Sequence, residues 1–396
     1  MKVLWFVASL EQRGGGERFV LEAVEALRAL DHEAIVVCDR LADAASFSGR
    51  YDLSQVICLN RTLANEANYE QRALAKFLGF FALLATAFRL RPNVIICQSE
   101  FDAIKVRYVS RVLGCRYKVF VFGQMFQFKT DISKYSSVFR KHLETIAASR
   151  PGYRDTVVLP PPQLPPLRFL ANELISRLKY KALHHADEAF ALSNQVRWEV
   201  SLLYGRDARV VRAAIADEQI NEAVLRSPRP TTSPLRFLSV CRLVEKKRVG
   251  LIIRGFEAAS IEGVLRVVGI GPQIEALRSL ARSCSKRDSI IFLGAVDEKQ
   301  LAAEFDAADC FISMDIGDFD ISVVEAMAKG LRVIVPEDFD MSEFGDDFDG
   351  VAVVTPTEDA VAEAMQAVPT MPAPSINNLA PLRRVTWDWL ANECVR

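Results

Sequence analysis

What this chain lacks narrows it first. It has four histidines in 396 residues and no cysteine pair at CxxC spacing, so a clustered zinc site or a thioredoxin-like redox pair is not expected. His32, His142, His184 and His185 have no carboxylate or cysteine at ligand spacing and read as structural. The eight cysteines are scattered. Cys38, Cys97, Cys241 and Cys310 lie in apolar, strand-like runs and read as small buried hydrophobes, which points to a reducing, cytoplasmic compartment. Net charge is -1, which argues against a bulk nucleic-acid partner. The longest apolar run, residues 78–88, has 11 residues and is too short to span a bilayer. The opening run MKVLWFV reads as a first strand, because it is short and lacks a cleavage site. No P-loop and no nucleophile elbow occurs.

What is present is apolar and alternating. Half of the residues are hydrophobic, and the length exceeds one ordinary core, so two domains are expected. Short β-rich runs alternate with helical patterns throughout. Strands are predicted at 2–8, 34–38, 94–97, 117–122, 188–192 and 209–212, then at 236–240, 265–268, 290–293, 309–313, 332–335 and 351–354. A helix is predicted over 17–30, with Val20, Val24, Leu27 and Leu30 on one stripe. Such alternation gives α/β domains of the doubly wound, Rossmann-like kind. The two blocks meet at 213–234, whose end SPRPTTSP reads as a linker. The expected domains are therefore 1–212 and 213–386. The proline-rich run 160–166 reads as a stiff polyproline II spacer.

Charge is unevenly placed along the chain. Residues 1–212 carry 30 Lys and Arg against 21 Asp and Glu, and residues 213–396 carry 19 against 29. Between 105 and 181 the net charge is +11. A basic first half fits contact with an anionic membrane surface or an anionic acceptor, against the plain alternative of a solvated basic surface. Residues 71–91 fit either an interfacial helix or a helix packed on a parallel sheet.

Two segments point to a ligand. In DFDISVVEAMAKG (318–330), a helix starting at Ile321 and Ser322 sits between two strands. Its first-turn N–H groups and its dipole suit an anion, and Glu325, one turn in, suits hydroxyls. A phosphate on a ribose satisfies both; an ordinary capped helix at a buried corner is the alternative. In LRFLSVCRLVEKKRVG (235–250), Arg242 and Lys247 bracket a strand-to-helix loop, where ligands sit in open α/β sheets. A guanidinium fork and an ammonium there suit a diphosphate.

Taken together, these residues resemble the donor half of the retaining GT-B glycosyltransferases of family four. The resemblance continues through GGGERFV (14–20), LRVVGIGP (265–272), IFLG (291–294), ADCFIS (308–313) and TWDW (386–389). It implies a GT-B fold with two Rossmann-like domains facing a cleft. The acceptor would lie on the first domain, to which the last helix, about 387–396, returns; the donor would lie on the second. It implies transfer of a glycosyl group, with retention, from a nucleotide diphosphate sugar. The acceptor would be a saccharide, a lipid-linked sugar or a small molecule, in glycan or cell-surface polysaccharide synthesis. No cofactor or metal is expected, because Arg242, Lys247 and the helix N–H groups would stabilise the leaving diphosphate. Asp318, Phe319 and Asp320 would meet the sugar, Ile321 and Ser322 the phosphates, and Glu325 the ribose. Gly15 and Gly16 would let backbone approach the diphosphate.

The departures are specific. The family's first signature glutamate falls at Gly317, with Asp315, Asp318 and Asp320 as candidates for the same space. No histidine ends a strand on the acceptor side, where Gln98 and Gln124 stand nearest. A non-catalytic nucleotide-sugar binder, serving as partner subunit, and a GT-B-fold sugar epimerase therefore stay open. A dinucleotide fold is the runner-up: Asp39 suits it, but Phe19 and Ile274 stand where third glycines belong.

Overall fold

A computed structural model describes residues 1–10, 15–41, 51, 53–59, 69–122, 139, 142, 166–212, 231–315, 320–337, 349–374 and 386–396. The described chain begins with β1 (Lys2–Leu10), α1 (Gly15–Ala29), β2 (Glu33–Leu41), β3 (Ile57–Cys58), α2 (Tyr69–Leu90), β4 (Val94–Cys97) and α3 (Glu100–Leu113). It continues with β5 (Arg116–Val121), α4 (Pro166–His184), β6 (Glu188–Ala191), α5 (Asn194–Tyr204) and β7 (Arg209–Val210). The second half has β8 (Leu235–Val240), α6 (Val249–Ala258), β9 (Gly263–Val268), α7 (Ile274–Ser283), β10 (Ile290–Gly294) and α8 (Glu298–Ala307). Then come β11 (Cys310–Ile312), α9 (Ile321–Ala328), β12 (Arg332–Pro336), β13 (Val351–Val354), α10 (Glu358–Ala367) and α11 (Trp387–Val395).

The strands form two parallel sheets. Their orders are β3-β2-β1-β4-β5-β6-β7 and β10-β9-β8-β11-β12-β13. Each sheet is built outward in both directions from its first strand, so each has a point where strand order reverses. Between β1 and β4, and again between β8 and β11, the crossovers diverge and leave a crevice at the carboxyl ends of the strands.

Alternation on β1 shows how each sheet is covered. Leu4 and Phe6 face one side, against Leu83 of α2, Val106 of α3, Leu183 of α4 and Val200 of α5. Val3 and Trp5 face the other, against Phe19 and Val24 of α1 and Leu390 of α11. The last helix thus returns to the first sheet. Glu393 of α11 pairs with Arg209 of β7, which also holds Glu188 of β6 at 2.5 Å, and Glu188 holds the buried Lys118 of β5 at 2.9 Å. In the second half, α6, α7 and α10 cover one face of the sheet, while α8 and α9 cover the other.

The predicted strands at 94–97 and 351–354 match β4 and β13 to the residue. One expectation is corrected. Gly15 and Gly16, read as a loop, are the first helical residues of α1. Neither has a left-handed φ, and a Cβ at Gly16 would meet nothing within 4 Å, so the helix tolerates them at its open first turn. The linker's first part, residues 213–230, and the proline-rich run 160–165 lie outside the described residues.

A different glycine pair carries real constraint. Gly269 follows β9 with φ +136°, and a Cβ there would fall 1.8 Å from the Cys241 carbonyl oxygen. At Gly271 it would fall 2.3 Å from the Leu243 carbonyl oxygen. The backbone after β9 therefore presses directly on the loop after β8, sealed by Leu243 N donating to the Ile270 carbonyl at 2.9 Å. Gly269→Ala is expected to destabilise the protein by ~3 kcal/mol or more, because backbone must move and the φ is unfavourable. A thermal melt of the variant at neutral pH checks this.

Candidate functional site

The loop pressed by Gly269 and Gly271 carries Arg242, which is exposed, and leads through Glu245–Lys247 into α6. Arg248 makes that turn in the left-handed region, at φ 47°. A side chain with a Cβ rarely adopts this conformation.

Lys247 is the centre of a buried charge cluster. Its ammonium contacts Asp315, just past β11, and lies 3.6 Å from Asp320. Asp315 and Asp320 are 3 % and 6 % exposed, so this cation and its two carboxylates sit in low dielectric. Burial alone would strip the lysine proton. Asp320 and Asp315 outweigh that effect and hold the ammonium charged, well above the ordinary lysine range. Ser313 Oγ donates to Asp320 Oδ2 at 2.9 Å, closing the cluster. The neighbouring Cys241 thiol is pushed up to about 12 by burial, so it is no nucleophile at neutral pH.

Asp320 has a second task. It is the N-cap of α9, and its Oδ1 accepts from Ser322 N at 3.1 Å. The N–H groups of Val323 and Val324 close on the Asp320 carbonyl. Ser322 N, one of the N–H groups expected to hold an anion, is thus bonded to a carboxylate of the chain. Ile321, the first residue of α9, turns its side chain away from the second sheet and packs against the core of the first; its Cδ1 is 3.6 Å from a Cβ built on Gly15.

The first half answers residue for residue across the crevice. Arg18 of α1 donates to Glu325 of α9 at 2.7 Å, with side chains 27 % and 11 % exposed. One residue earlier, burial raises the Glu17 carboxyl, while its own backbone N–H and the Arg242 charge pull it down. The two halves therefore exchange opposite charges: Arg18 to Glu325, and Arg242 towards Glu17. Behind α1, Gln98 at the end of β4 donates its amide to the Gly16 carbonyl at 3.0 Å. It holds the first turn of α1 in place. Gln124, Asp318, Phe319 and Gly317 lie outside the described residues.

Sequence reasoning missed Arg18, Asp315's partnership with Lys247, and Asp102. A signal for Arg18 was present, since it follows the glycine run directly. Asp102, in the first turn of α3, is buried and bonded reciprocally with the N-cap Ser99, whose Oγ accepts from its N–H at 3.0 Å. Burial, first of all, raises its carboxyl to about 7.

With this geometry in hand, comparison with known proteins is informative. Seen whole, the chain has the GT-B fold. It aligns over 100 % of its length with sucrose-phosphate synthase from Thermosynechococcus elongatus (97 % of that chain, 16 % identity, TM-score 0.71). It aligns equally fully with Anabaena HepE in complex with UDP (98 % of that chain, 14 % identity, TM-score 0.68). More particularly, the family model "Glycosyl transferases group 1" matches residues 222–379. Colanic acid biosynthesis glycosyltransferase WcaL of Escherichia coli, a putative assignment, is 32 % identical over 121 residues, 27 % of this chain and 30 % of that protein. A GDP-mannose-dependent alpha-(1-6)-phosphatidylinositol monomannoside mannosyltransferase of Mycobacterium tuberculosis is 32 % identical over 141 residues, 31 % of this chain and 36 % of that protein. The chain thus matches about a third of the length of these relatives.

Asp102 yields a test with a definite sign. Below about pH 4 both folded and unfolded chains hold its proton. Between about 4 and 7 the unfolded chain releases it and the folded one keeps it, so stability falls as pH rises. Above about 7 both are ionised and the cost is constant. Asp102→Asn should therefore match wild type near pH 4 and exceed it increasingly up to pH 7, by on the order of 4 kcal/mol at the plateau. Thermal melts across that range measure it.

Proposed function

We propose that this protein is a retaining glycosyltransferase that moves a hexosyl group from a nucleotide diphosphate sugar to a saccharide or lipid-linked acceptor, in polysaccharide or glycolipid synthesis at the cytoplasmic face of a membrane. The observation that carries this reading is the pair of cations at the crevice between β8 and β11: Arg242, whose charge reaches Glu17 in the first turn of α1, and Lys247, held by Asp315 and Asp320. The family match covers this donor half. Relatives named for colanic acid biosynthesis and for phosphatidylinositol monomannoside mannosyl transfer are 32 % identical over 121 and 141 residues, and a fold neighbour was solved in complex with UDP.

Residues 213–386 would bind the donor, and residues 1–212 with α11 the acceptor. Arg242, exposed at the crevice, meets the diphosphate first. Lys247 supplies a fixed, fully protonated ammonium beneath it, so no proton has to move as the bond to the sugar breaks. Each such aimed cation is worth about 3 kcal/mol in a water-poor crevice. That charge can stand in for a divalent metal. Among the carboxylates near Gly317, Asp320 is committed to capping α9. Asp315, fixed by Lys247 at the end of β11, is the better candidate to take a sugar hydroxyl. Glu325 would accept from ribose hydroxyls once it parts from Arg18. Gln98 would act on the acceptor side indirectly, by fixing α1.

A panel of nucleotide diphosphate sugars with the purified protein tests the reading, with product configuration read by NMR. Turnover should persist in EDTA. Arg242→Ala and Lys247→Met should each lower it by about 100-fold. Asp315→Asn should lower transfer while sparing affinity for the free nucleotide diphosphate. Binding of a donor with no transfer or hydrolysis would instead favour a non-catalytic subunit, and wild-type rates in both cation variants would overturn the donor site.

A further inference from the structure

The outer surface of the first half is unusual for a soluble face. The four helices α2, α3, α4 and α5 form one layer over the first sheet, their inner stripes sharing a single core. Among the described residues, eleven of the fourteen exposed large apolar side chains lie on these four helices. They fall at helical spacing. On α4, Leu170 and Leu174 continue into exposed Arg177 and Lys181 along one stripe. On α3, Phe101, Tyr108 and Val112 form a second stripe beside exposed Arg111. The two helices are locked together where the Lys179 ammonium sits 3.2 Å from the centre of the Phe101 ring. On α2, Phe81 and Phe88 are exposed, next to exposed Arg89 and Arg91.

Among the side chains of these helices that the structure describes, no carboxylate is exposed; the exposed Asp207, just past α5, is paired with Arg197 at 2.9 Å. Glu173 and Glu199 are buried, and Glu100 is held by Lys179 at 3.2 Å. An apolar face with a basic rim and few exposed acids has the composition that lies flat in the interface of an anionic bilayer. Among the described residues, no helix is long and apolar enough to cross a membrane. A second copy of the chain fits poorly. Two-fold pairing of this face would set Arg111, Arg177 and Lys181 against their own copies.

We propose that the α2–α5 layer docks this protein on an anionic lipid surface, with the apolar side chains of α3 and α4 entering the headgroup region and the arginine and lysine rim binding lipid phosphates. This inference is independent of the transfer reaction.

Sedimentation with vesicles tests it, using full-length protein without donor at about 0.1 M salt. The vesicles are phosphatidylcholine alone, or phosphatidylcholine with phosphatidylglycerol. Wild type should prefer the anionic vesicles by at least about 10-fold. Arg177→Glu with Lys181→Glu should lose about 30-fold on them. Leu170→Asp with Leu174→Asp should lose about 10-fold or more. Unchanged melting temperatures and nucleotide-sugar binding would show that the fold and the donor site are intact. Equal binding to both vesicles, or wild-type binding by both variants, overturns the proposal. So does a dimer in solution that the leucine variants dissociate, which would assign the face to self-association.

Discussion

The crevice of the second sheet depends on one buried cation. Lys247 reaches it from the loop after β8, Asp315 from the end of β11, and Asp320 from the cap of α9. Three separate segments are fixed by a single ammonium. Charges out of water are costly unless every member is paired. Any one of the three, left alone, would carry the full desolvation cost. The cluster therefore resists partial disassembly, and it fixes where the sheet edge ends and α9 begins. The glycine pair after β9 serves the same end by geometry: only a backbone without Cβ can press close enough to hold the loop that carries Arg242.

Much of the fold was legible because parallel sheets buried on both faces write themselves as continuous apolar runs. VIIC at 94–97 and VAVV at 351–354 are examples, each bounded by polar or turn residues. β3 was not legible: Ile57 and Cys58 are two residues long, too short for any period to appear. The glycine run at 14–16 misled in the other direction, since glycines suggest a loop, yet a first helical turn tolerates them when it lies open.

For the site, residue types and loops could be read, but partnerships could not. Arg242 and Lys247 stood out because two cations after a strand are conspicuous. That Lys247 would meet Asp315, or Arg18 meet Glu325, could not be seen, because those pairs are separated by 68 and 307 residues and are created only by the topology. Asp320 looked like a ligand residue because the cap it forms depends on where the helix starts, which sequence fixes only to within a few residues. The glycines of GIG at 269–271 were judged against a dinucleotide pattern that they do not fit. Their role is to admit the carbonyls of Cys241 and Leu243, and no motif announces a carbonyl that arrives from another strand.

The chain passes from the first sheet to the second before β8, and returns with α11, where Glu393 is anchored through Arg209. It thus crosses between its halves twice. A single tether would let the halves drift apart in any direction. Two crossings allow fewer relative motions than one, whatever path each takes. Arg18 and Glu325 add a third link between the halves, and because it is ionic rather than covalent, its strength, unlike that of the two crossings, depends on salt and on any ligand that competes for either partner.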